Sequence, residues 1–132
     1  MALSEKHFTL EEARSELPWL KRQFARIREL VVELQGAHME MTRIHKLVRG
    51  NGHGSGHPQF GPQIGEIQGI VQAIADKGIE IKDLKRGLID FPAWRGKEEI
   101  YLCWVADEED ITFWHTLEGG FSGRRRIRKE EA

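Results

Sequence analysis

A single cysteine, Cys103, stands among the 132 residues. That excludes an intrachain disulfide and any zinc site built from several cysteines. No apolar run approaches the roughly 20 residues that a bilayer-spanning helix needs, and residues 1–10 (MALSEKHFTL) lack the hydrophobic run of a secretion signal. No sign of charge dominates either: 20 Lys and Arg face 21 Asp and Glu, so net charge selects neither a nucleic acid nor a membrane surface. The common catalytic signatures are missing as well. The glycines of 50–62 match neither G-x-G-x-x-G nor a loop ending in G-K-[ST], and a helix precedes them where those motifs need a strand. H-E-x-x-H is absent, and no histidine has Glu three positions before it, which removes the zinc-protease helix and the di-iron bundle. These absences leave a soluble, cytoplasmic protein as the expectation.

What the chain does have is one long periodic stretch. Leu17, Leu20, Phe24, Ile27, Val31, Leu34, His38, Met41, His45 and Val48 recur at alternating steps of three and four. This predicts a helix over 17–48 with a seven-residue seam. Upstream, Thr9 and Glu12 have the spacing of a capping box for a short helix near 10–16. Pro18 then disfavours helical geometry at Leu17 and sets a break or kink before the long segment. Residues 50–62 hold five glycines and two prolines, a composition too flexible to order itself. A second helix is predicted from Pro62 to a cap at Gly78, with Ile64, Ile67, Val71 and Ile74 as its apolar stripe. Gly65, Gly69 and Ala73 form a second stripe where a neighbouring backbone would come close.

From Ile79 the period becomes alternating. Strands are predicted over 79–84, 88–91, 99–106 and 111–116, joined by Lys85-Arg86-Gly87, Arg95-Gly96-Lys97 and the acidic turn 107–110. The last hairpin carries large apolar groups on both faces, which implies a sheet covered on both sides or one face used for association.

At this block the chain resembles a known family. Lys82-Asp83, Gly87-Leu88 with Asp90-Phe91-Pro92, Tyr101-Leu102-Cys103-Trp104, Trp114-His115, and Gly120-Phe121 with Gly123-Arg124 resemble the signature of domain-of-unknown-function family 2203, a group of small prokaryotic proteins. The opening Phe8-Thr9-Leu10-Glu11-Glu12-Ala13 is similar to the family's opening. Asp107-Glu108 departs from the pattern, which has a Gly-Glu pair in that turn. The resemblance implies no activity.

Candidate sites are weighed on chemistry. His38 and His45 share the helix seam, where polar residues that set register are the plainer account. His53 and His57 lie in the glycine loop, with nothing to hold their geometry. The Arg124-Arg125-Arg126, Arg128, Lys129 run reads as a frayed, solvated tail rather than a phosphate grip. Asp83, Asp90 and His115 are harder to set aside, because Asp is depleted in strands and both aspartates interrupt apolar runs. Two carboxylates and an imidazole supply ligands for a divalent metal or an acid–base pair. Trp104 and Trp114 are expected to wall such a site, and Arg124 to enter it with donors for an anionic group. Cys103, in mid-strand, reads as packing; the simpler alternative for the aspartates is turn capping and ion pairing with Lys82, Arg86 or Arg124.

The expectation is a single α+β domain over 1–132, a long helical hairpin packed with a small antiparallel β-meander. It divides into 1–49 (N-terminal and long helix), 50–61 (flexible glycine-rich loop), 62–78 (second helix), 79–117 (antiparallel strands) and 118–132 (tail). The expected function is a dimeric interaction or ligand-binding module. The alternative is a small metal-dependent, hydrolase-like enzyme with a divalent metal at Asp83, Asp90 and His115. Its ligand site would be Asp83, Asp90, Trp104, His115 and Arg124. A homodimer is the expected assembly, because the long helix outreaches the second and leaves seam uncovered near 36–48.

Overall fold

The computed structural model describes residues 4–47 and 61–128, with residues 37–47 as helix backbone only. Helix α1 (Leu10–Ser15) opens on the full capping box: the Glu12 amide donates to Thr9 Oγ1 at 3.0 Å, and the Thr9 amide to Glu12 Oε1 at 2.9 Å. Helix α2 (Leu17–Leu47) follows after Glu16, and its 31 residues extend over about 46 Å. Helix α3 (Gly61–Asp76) packs on α2. The loop expected over 50–61 lies almost wholly outside the described residues.

The α2 seam departs from a strict heptad. Leu17, Leu20, Phe24 and Ile27 are buried, but the next buried position is Leu30, at 1% exposure, while Val31 is 39% exposed. The reason is α3. Arg26 donates from Nε and Nη2 to both Glu66 oxygens at 2.6 and 2.8 Å, and Gln63 to Glu33. Positions 26, 30 and 33 share a helix face, so α3 draws the buried stripe round to Leu30. On α3, Ile70 and Ile74 are buried and Ile64 is exposed. The expected close approach along Gly65 and Gly69 is absent: a Cβ on either would meet nothing within 4 Å.

The sheet is a five-stranded antiparallel meander in the order β1 (Glu80–Asp83), β2 (Leu88–Arg95), β3 (Glu98–Val105), β4 (Phe113–Thr116), β5 (Arg125–Arg126). Two glycines make the first two of its turns. Gly87 has φ +71°, and a Cβ there would lie 2.5 Å from the Ala106 Cβ; its carbonyl accepts the Ala106 amide. Gly96, at φ +64°, opens the two-residue β2–β3 loop, a position that favours glycine. The segment expected as a frayed tail is instead structured up to Arg126. A 3-10 turn (Phe121–Gly123) leads into β5, whose Arg125 and Arg126 pair with Trp114 and Phe113. Stacking explains it: the Arg124 guanidinium lies 4.1 and 4.8 Å from the centres of the Phe113 and Phe121 rings, and that of Arg86 lies 4.6 Å from the centre of the Phe121 ring.

Register divides the sheet into two faces. Ile89, Phe91 and Ala93 align with Trp104, Leu102 and Ile100 and join α1, α2 and α3 in the main core. Asp90 aligns with Cys103, and Tyr101 with His115, on the opposite face. Leu117 and Phe121, from the segment after β4, lie over that second face.

Candidate functional site

Two polar residues are buried outright among the described residues, Asp90 and His115, each 2% exposed. They come from β2 and β4, on either side of β3. His115 Nε2 lies 3.0 Å from both Asp90 carboxylate oxygens, and Nδ1 lies 2.7 Å from the Thr116 carbonyl oxygen. A carbonyl can only accept, so Nδ1 carries a hydrogen. A second proton lies between Nε2 and the carboxylate. Burial pulls the imidazole pKa down, but the hydrogen bonds to Asp90 and Thr116 outweigh it and leave it raised. The raised value favours the protonated ring, in which Nδ1 donates to the Thr116 carbonyl and Nε2 to the Asp90 carboxylate.

Cys103 completes the floor. Its side chain is fully buried, and one donor atom from each of Asp90, Cys103 and His115 can be chosen so that all lie within 4.8 Å of one another. Burial, with the Asp90 charge beside it, pushes the thiol up to about 12, while Arg124 acts in the opposite direction. Arg124 binds both Glu108 carboxylate oxygens at 2.7 and 2.9 Å, and Glu108 also accepts the Val105 amide. Tyr101 Oη donates to Glu80, which also receives Lys82 Nζ at 2.8 Å; the ammonium rests 4.6 Å over the Tyr101 ring. A cavity of about 200 Å³ opens beside the pair, lined by Lys82, Asp90, Tyr101, His115, Leu117 and Phe121 among others.

The sequence-selected residues separate on this geometry. Asp90 and His115 meet, and Arg124 reaches the Cys103 side of the same face. Asp83 does not join them: its carboxylate accepts the Arg86 amide at 3.2 Å and caps the β1–β2 turn. Trp104 and Trp114 do not wall the site, because both point into the helix-covered core, where Trp104 Nε1 donates to the Glu108 carbonyl. Cys103, Tyr101, Glu80 and Lys82 were not selected. Strand alternation puts Tyr101 and Cys103 on one face, and antiparallel pairing of 88–91 with 99–106 is the signal that brings Asp90 opposite Cys103. The side chains of His38, His45, His53 and His57 lie outside the described residues.

Fold and site together define a small α+β protein with a polar centre buried between an antiparallel sheet and the segment that follows its fourth strand. A family model described as an uncharacterized conserved protein (DUF2203) matches residues 6–127, and the chain belongs to that family. Comparison with curated proteins and with solved structures finds no match. Among the described residues no helix is long and apolar enough to cross a membrane.

Proposed function

We propose that the protein is a ligand-binding module whose site is the Asp90–His115 pair and the cavity beside it. The carrying observation is the burial of Asp90 and His115, each 2% exposed, as a hydrogen-bonded pair among apolar strand residues. Desolvating two charges costs several kcal/mol per ion, and replacing a buried pair by apolar residues of similar volume is often neutral or stabilising. A pair kept at that cost, next to about 200 Å³ of space, supports a role in binding. Lys82 and Tyr101 flank the position a bound group would take. The reading is compatible with a cytoplasmic protein.

Replacing both residues, Asp90→Leu with His115→Leu, tests the reading. The double variant is expected to match or exceed the parent in urea-unfolding stability. A loss of several kcal/mol would make the pair a structural element of the sheet.

A metal-dependent, hydrolase-like enzyme is the second reading of this site, favoured by the cavity, which gives a substrate group room beside Asp90 and His115. A homodimer is compatible with either. α2 and α3 then form a helical pair with unequal arms, and Val31, Val32 and Ile64, exposed at 39%, 65% and 45%, supply apolar surface near the start of α3. Light scattering at tens of micromolar is expected to give twice the chain mass; a monomer mass removes the dimer.

A further inference from the structure

We infer that Asp90, Cys103 and His115 hold one divalent transition-metal ion of the zinc class, with one coordination position open to the neighbouring cavity. The inference rests on the reading of this cluster as a binding site and names its ligand.

The donor set carries it first. One carboxylate, one thiol and one imidazole suit zinc and its neighbours. Calcium takes 6–8 oxygen ligands, and with Asp83 capping a turn only one carboxylate is in the cluster. The spacing carries it second. Zinc bonds of about 2.0–2.3 Å put tetrahedral donors about 3.5 Å apart. Here the three donor atoms lie within 4.8 Å of one another, and His115 Nε2 is already 3.0 Å from Asp90. The shift needed is about an ångström of side-chain motion on three adjacent strands of one sheet.

The third argument is the orientation of the ring. A metal-binding histidine characteristically donates its other ring N–H to a carbonyl or carboxylate, which fixes the ring and frees the second nitrogen. His115 does this through Nδ1 to the Thr116 carbonyl at 2.7 Å, so Nε2 is the nitrogen that faces Asp90, and the ion takes the place of the proton there, releasing it and the thiol proton to solvent. Three protein ligands with an open position are the pattern of catalytic rather than structural zinc sites. The cavity reaches Asp90 and His115 from the Lys82 and Tyr101 side, so the open position faces space that water or a small ligand can enter.

The test is titration of the untagged, chelator-treated full-length protein with Co²⁺, followed by displacement with Zn²⁺. One equivalent of Co²⁺ is expected to give the near-ultraviolet thiolate-to-cobalt band and the strong visible bands of tetrahedral cobalt, and Zn²⁺ to bleach both. Cys103→Ser should lose the near-ultraviolet band. His115→Gln should weaken binding by more than the roughly 10–100-fold that outer-shell changes cost. His53→Ala with His57→Ala should change nothing. Metal bound without a thiolate band, or binding abolished by the loop variant, overturns the inference. Absence of binding overturns it too. In that case, an Asp90→Leu/His115→Leu variant as stable as the parent leaves the binding-site reading standing, and an unstable one removes both.

Discussion

Asp90→Ala lowers the free energy of unfolding by about 3–5 kcal/mol, the cost of removing one partner of a buried ion pair. Against the 5–15 kcal/mol that separates typical folded and unfolded states, this is a large fraction of the whole. The cause lies in what remains. His115, at 2% exposure, keeps its Nδ1 bond to Thr116 but loses both acceptors at Nε2. The ring must then shed a proton or stay charged without a partner. Urea unfolding followed by circular dichroism measures the effect. A double-mutant cycle with His115→Leu should be strongly non-additive, because the second change removes the group that the first one strands. A loss under 1 kcal/mol for Asp90→Ala alone would mean that water reaches the pair freely.

The metal-free protein loses stability as pH rises above about 6.5, the ordinary histidine value. His115 is raised in the folded state, above the roughly 6.5 of an unfolded histidine. Below that unfolded value both states hold the proton, and the contribution of the pair is fully present. Above it the unfolded chain releases the proton while the folded one keeps it, so stability falls until pH passes the folded value. One proton bounds the slope at about 1.4 kcal/mol per pH unit. Lys82, Glu80, Tyr101 and Cys103 also face this pair, but the thiol and phenol are raised by burial and begin to act, in the same direction, only above about pH 8. Unfolding midpoints of the parent and of His115→Gln across this range check the prediction; the slope should disappear in the variant.

How much of this was legible beforehand depended on the range of the interactions. The α1 cap, the long helix, the turn at Gly87 and the strand sequence from Ile79 are written in local spacing, and the structure has them. What local spacing missed was set by partners distant in sequence. Val31 and Leu30 are both apolar neighbours, and it is the packing of α3 on α2, joined by Arg26 and Glu66 across 40 residues, that goes with the burial of Leu30. Arg124 to Arg126 looked like a solvated tail because their charge says nothing of Phe113 and Phe121, whose rings hold them. At the site, alternation could mark Asp90 and His115 as odd residues in apolar strands. It could not show that Trp104 belongs to one face of β3 and Cys103 to the other until the register with β2 was known.

Pro92 has a consequence for how molecules of this protein meet one another. Its carbonyl accepts the Phe8 amide at 2.7 Å, so that carbonyl points away from β3, on the margin left open where β1 ends at Glu80 opposite Asp90. The nitrogen of the same residue points to the same margin, and in proline it carries no hydrogen. A strand arriving from another chain would find the carbonyl already taken by the chain's own N-terminal segment and no donor beside it. Growth of the sheet from molecule to molecule along that margin is therefore blocked at its middle. This closes one route by which copies of the chain could pair through the sheet, beside a strand rich in apolar residues.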